Sequence, residues 1–128
     1  MTDDVVIDAI NVLTVLKKAL NRVSRRKVVV EWKKTLSDMI KLLEGDEVDV
    51  SIVYSVEDDS IEVKKVAIGR FVVSARLSVL SAHEIRRVVM SHLYAILAMV
   101  AEDIDEPELI DALKQLLPKA REVSYKVR

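Results

Sequence analysis

Between residues 48 and 79 apolar and polar side chains alternate in three successive runs. Val48, Val50, Ile52, Tyr54 and Val56 form the first, and Ile61, Val63, Val66 and Ile68 the second. Phe71, Val73, Ala75, Leu77 and Val79 form the third. A period of two sends successive side chains to opposite faces, so each run predicts a half-buried strand. Glu57-Asp58-Asp59-Ser60 is a turn by composition, and Gly69-Arg70 suits a two-residue hairpin. With those turns Val56 falls opposite Ile61, and Ile68 opposite Phe71. The apolar phase slips between Val63 and Val66, and a bulge at Lys64-Lys65 absorbs the slip. One long strand over 61–79 is the alternative; the two turns favour a three-stranded antiparallel β-meander.

Helical periodicity brackets this sheet. Ala9, Leu13, Leu16, Leu20 and Val23 recur at spacings of three and four, as do Val29, Trp32, Leu36, Met39 and Leu43. Thr2 or Asp3 can cap the first helix, and Gly45 can end the second. The apolar stripe loses register at Ser24-Arg25-Arg26-Lys27. One continuous helix of about 40 residues would be roughly 60 Å long. A compact domain of this size has a radius of gyration of only about 14 Å. The size argument favours a break at 24–27 over a continuous helix, and the helical period from Trp32 to Leu43 ranks a strand at Lys27–Trp32 lower.

After the sheet, Ser81-Ala82-His83-Glu84 is a capping box, worth ~1 kcal/mol. Residues 88–101 are apolar almost all round, too short to cross a membrane and in need of cover on every side. The sheet can cover one flank. The N-terminal helices or a second subunit must cover the other, which predicts a homo-oligomer, a dimer or higher. Asp105-Glu106-Pro107 starts a short helix through Leu109, Ile110, Leu113, Leu116 and Leu117, which Pro118 is expected to end. Val123, Tyr125 and Val127 alternate, so the tail can add an edge strand. The expected architecture is therefore one α+β domain over residues 1–128. It has two N-terminal helices, a three-stranded meander and two C-terminal helices.

Chemistry is hard to place on this chain. With no cysteine among its 128 residues, disulfides, thiolate catalysis and cysteine metal sites are excluded. His83 and His92 stand on opposite sides of one helix, and Arg87 occupies the place where a zinc-protease motif needs its second histidine. Gly45 and Gly69 are the only glycines, too few for a phosphate-cradling loop. No serine has a nucleophile-elbow setting, and no carboxylate pair has acid–base spacing. The expectation is a protein that is not an enzyme, without cofactor or metal. Asp3, Asp4 and Asp8 interrupt any signal peptide, which points to the cytoplasm. One Gln, two Asn and dense charges of both signs suit a thermophile.

Charge is distributed unevenly although the formal net charge is only −1. Lys17, Lys18, Arg22, Arg25, Arg26, Lys27, Lys33 and Lys34 cluster with one acid, Glu31. Glu102, Asp103, Asp105, Glu106, Glu108 and Asp111 follow one another without a base. The bland reading is two solvated surfaces. The functional readings are a protein contact steered by complementary patches, or phosphate contacts made by the basic segment. Trp32 is the only aromatic near that segment, and its helical spacing makes it a core anchor, so protein is favoured over nucleic acid.

Read as helices, meander and helices, the whole chain resembles the arcadin group of accessory proteins encoded beside the crenarchaeal actin, crenactin. The valine-rich strands Val48–Val56 and Phe71–Val79, the Asp3–Val23 helix, the length and the lack of cysteine carry that resemblance. It implies an archaeal, non-enzymatic partner of an actin-like cytoskeleton, in contact with the filament or its accessory proteins.

Overall fold

Five helices and one antiparallel sheet make up residues 3–58, 60–77 and 81–127, the residues that the computed structural model describes. They are α1 (Asp3–Leu20), α2 (Lys27–Leu43), β1 (Ser51–Glu57), β2 (Ser60–Ile68) and β3 (Phe71–Leu77). Then come α3 (Ala82–Ser91), α4 (Leu93–Asp103) and α5 (Pro107–Val127). The class is α+β as expected, but three helices rather than two follow the sheet. Thr2, Asp59 and Val79, named above for a cap, a turn and a strand, lie outside the described residues.

The N-terminal pattern breaks where its apolar register does. α1 ends at Leu20, and residues 24–26 run without regular structure into α2. Gly45, at φ 99°, closes α2: its N–H reaches the Leu42 carbonyl, and Asp46 N–H reaches that of Lys41. This is the Schellman arrangement that a left-handed residue allows.

The sheet has the order β1-β2-β3 and the expected register, with Val56 opposite Ile61 and Ile68 opposite Phe71. Against β1 the extra residue is Lys64; the β2–β3 pairing also shifts between Val63 and Lys65, with the extra residue on β3 between Ser74 and Leu77. Asp58 and Gly69 take positive φ, 48° and 55°, as two-residue hairpins require. Val48 and Val50 precede β1 and pack, partly buried, against the core instead of extending the strand.

Two expectations fail after the sheet. The apolar stretch 88–101 is not one helix but two, divided at His92. His92 Nδ1 donates to the Val88 carbonyl at 2.7 Å, and its ring lies 6.1 Å from that of Phe71. At the division the Met90 carbonyl is reached by a backbone N–H of the α3 cap, and α5 adds a side-chain partner for it and for the Tyr94 N–H. Buried Ser124 Oγ donates to the Met90 carbonyl at 3.3 Å and accepts from Tyr94 N–H at 3.2 Å. The second failure is the C-terminal tail, which is helical and not a strand. α5 passes through Pro118, which stands on the exposed side, where the Lys114 carbonyl it displaces can meet water. Ala120, Val123 and Val127 then continue the stripe begun by Leu109 and Leu113, packing α5 against α1, α3 and α4. Tertiary burial outweighs one lost helical hydrogen bond.

Leu93, Ile96, Leu97 and Val100 are buried inside the chain against this helical body. The cover that suggested a second subunit is therefore supplied by the chain's own helices. Ser124→Ala should lower stability by about 1 kcal/mol in urea unfolding, because it removes the hydroxyl's bonds to the Met90 carbonyl and the partly buried Tyr94 N–H. Lys119→Ala, which removes an exposed ion pair to Asp8, should cost less than about 1 kcal/mol.

Candidate interaction surfaces

A polar node holds the inner end of the sheet. Trp32 is fully buried on α2, and its Nε1 donates to Asp103 Oδ2, at the end of α4, at 2.7 Å. A buried indole N–H needs such a partner. The same oxygen accepts from Arg70 Nε at 3.3 Å, while Arg70 NH1 reaches Glu31 Oε2 at 3.3 Å. Arg70 N–H donates to Thr35 Oγ1 at 3.0 Å, and that hydroxyl donates to the Glu31 carbonyl at 2.9 Å. The turn lies so close to α2 that a Cβ on Gly69 would overlap Thr35 Oγ1. Ile68 and Phe71, flanking the turn, are buried in the core.

The outer end of the same sheet is open. Tyr54, Val56 and Ile61 are 51%, 71% and 65% exposed, and Val53 and Val72 also face solvent. The alternation predicted a half-buried face along the whole meander, but the helices reach only its inner half. Helix-to-sheet packing is concentrated between α2 and β2, and Val66, Ile68 and Phe71 are buried there. Past the bulge at Lys64, Val63 is still buried, and beyond it Val56 and Ile61 are uncovered. A cluster of exposed apolar side chains on a monomer marks a contact surface more often than chance.

The eight basic residues separate into two groups. Arg26 pairs with Glu106 at 3.2 Å, assisted by Ser24 Oγ, which donates to Glu106 at 2.8 Å. Lys34 pairs with Asp38 at 3.0 Å along α2. Lys17, Lys18, Arg22, Arg25, Lys27 and Lys33 form no ion pair among the described residues. Of these, all but Lys33 gather where α1 hands over to α2. The acidic stretch packs beside this end: Asp103 and Glu106 bind groups of the same chain. Part of the complementarity read as a signal for a partner is thus satisfied internally.

A cleft of about 750 Å³ between α1, α3 and the ends of α2 and α5 carries His83, Arg86, Arg87 and Lys126 above Val5 and Met90. Its arginines serve helix C-termini, with Arg86 Nε donating to the Leu42 carbonyl and Arg87 NH2 to that of Val127. Lys126 donates to Glu122 at 2.9 Å. That bond, with the Lys119 charge, holds the Glu122 carboxyl below its usual range, and the same bond raises the Lys126 ammonium. Among the described residues no three His, Asp or Glu side chains converge as metal ligands, and no helix is long and apolar enough to cross a membrane.

Comparison of the chain with protein families, with curated proteins and with solved structures finds no match in any of the three.

Sequence reasoning gave Arg70 only a turn position, Asp103 only a place in the acidic stretch, and Tyr54, Val56 and Ile61 only strand positions. An arginine inside a two-residue turn was the available hint for the first. Exposure of the others depends on how far the helices reach, which periodicity does not record. Asp103→Ala should cost about 2–3 kcal/mol in urea unfolding, since it strips the buried Trp32 N–H and Arg70 of one shared acceptor. Trp32, the sole tryptophan, should change its emission in the native baseline of the same experiment.

Proposed function

We propose that this chain is a non-enzymatic protein-interaction or accessory protein that binds through the outer half of its β-meander. The observation that carries this reading is the exposure of Tyr54, Val56 and Ile61 on a sheet whose other end is fixed to the helices. The helical body serves as the mount and the open sheet as the contact. The resemblance to the arcadin group makes the crenarchaeal actin filament, or another of its accessory proteins, the partner to test first, in the cytoplasm of a thermophilic archaeon. Self-association, as a dimer or higher, remains a subsidiary proposal, without the uncovered helix that first suggested it.

A second reading rests on the unpaired cations Lys17, Lys18, Arg22, Arg25 and Lys27 at the α1–α2 junction. They offer phosphates a compact basic end. An Arg22→Glu, Arg25→Glu, Lys27→Glu variant leaves the Arg26–Glu106 pair in place. Retention on DNA or RNA at low salt, lost in that variant, would support this reading, and no retention by the native chain would end it.

For the main reading, the chain is sedimented with polymerised crenactin beside a Tyr54→Lys, Val56→Lys variant. Both substitutions sit on exposed strand positions, so the variant should keep the native circular dichroism. The native chain is expected in the pellet in proportion to filament, and the variant in the supernatant. A native chain that stays in the supernatant removes direct filament binding. A variant that pellets equally removes the sheet as the contact.

A further inference from the structure

β1 is an edge strand: in the order β1-β2-β3 it pairs with β2 alone. Its outer side presents a row of backbone N–H and C=O groups that no strand among the described residues takes up. Proteins normally blunt such an edge with a charge, a proline or a bulge. β3, the opposite edge, follows that rule with the exposed Arg76. β1 does not. Residues 51–56, Ser-Ile-Val-Tyr-Ser-Val, carry neither charge nor proline, and the extra residue of the bulge belongs to β2. Val53, Tyr54 and Val56 are exposed along it. At ~3.4 Å per residue these six positions offer roughly 20 Å of unguarded edge.

Acids stand at both ends of this stretch. Asp46, Glu47 and Asp49 precede it, and Glu57, Asp58 and Asp59 follow it. Asp46, Glu47, Asp49 and Asp58 are exposed and form no ion pair among the described residues. This pattern argues against a second copy on the edge. Antiparallel self-pairing centred on Tyr54 would set the acidic flank of each copy against that of the other, and like charges placed opposite one another are destabilising. It fits a strand whose ends are basic and whose middle alternates apolar and neutral residues.

We propose that the β1 edge takes up an extended segment of another protein as a fourth strand, with Lys or Arg at both ends of that segment facing the acidic flanks. Main-chain hydrogen bonds supply the pairing, and the flanking charges choose the partner. The inference rests on the reading of the outer sheet as the contact surface and names the chemistry of what binds there.

The test uses the full chain and three synthetic peptides. One alternates valine and threonine between paired lysines. A second carries glutamates in place of the lysines. The third keeps the lysines but is N-methylated at every valine and threonine nitrogen, so neither of its edges can donate to a neighbouring strand. The lysine peptide is expected to slow exchange of alternate β1 amides between Ile52 and Val56. The glutamate peptide should bind at least about tenfold more weakly, and the methylated peptide should leave the amides unprotected. An Asp46→Lys, Asp49→Lys variant should narrow or reverse the preference for lysine over glutamate. No protection by the lysine peptide, or equal binding of the methylated one, overturns strand addition. Equal binding of the glutamate peptide overturns the basic partner. If Tyr54→Lys, Val56→Lys abolishes filament binding while no peptide protects β1, the surface reading stands and strand addition alone falls.

Discussion

One carboxylate oxygen joins the three parts of this molecule. Asp103 Oδ2, at the end of α4, accepts from the buried indole of α2 and from the guanidinium in the β2–β3 turn. Neither donor has a cheap alternative. The Trp32 N–H lies in the core, and Arg70 is drawn against α2 by its own backbone bond to Thr35. A charged acceptor shared by two donors in a partly buried place is stronger than a neutral pair in water. Because the anchor lies at one end of a twisted three-stranded sheet, the inner half is covered and the outer half is not. The exposed apolar strip follows from where the sheet is held.

Local rules proved sufficient where the determining chemistry was local. The meander, its two hairpins, their register and the bulge at Lys64 all follow from period-two alternation and turn residues. The Ser81 cap is as expected, with Ser81 Oγ accepting from Glu84 N–H at 3.2 Å. So are the break before Lys27 and the end of α2 at Gly45. What was not legible depends on distant partners. Pro118 reads as a stop, yet the apolar stripe on both sides of it docks on α1 and α4 and keeps the helix going. The division at His92 falls at Ser91-His92, the polar pair inside the apolar stretch, but the Ser124 hydroxyl that supports it comes from more than thirty residues away. Among the candidate site residues, the eight cations were legible as a cluster. The pairing of Arg26 with Glu106 was not, because only the fold brings residue 106 to residue 26.

Charge and apolar surface divide the molecule's work. Acid–base pairs at the α1–α2 junction and at the Arg70 node close the helical body on itself, and the cations in the α1–α3 cleft cap helix ends. These arrangements account for Arg26, Arg70, Arg86 and Arg87, while Lys17, Lys18, Arg22, Arg25 and Lys27 form no ion pair among the described residues. The open sheet is different, because nothing in the described chain uses its exposed apolar residues or its β1 edge.

Amide hydrogen exchange along the meander tests the asymmetry most directly. The Arg70 amide, bonded to the Thr35 hydroxyl, and those of Ile68 and Phe71 should exchange only with the global unfolding of the helical body. The amides from Tyr54 to Ile61 should exchange through a smaller opening, at a lower free energy. Equal, maximal protection from Ser51 to Leu77 would mean that the whole sheet is secured as firmly as the core. A fast Arg70 amide would mean that the node does not hold it at all.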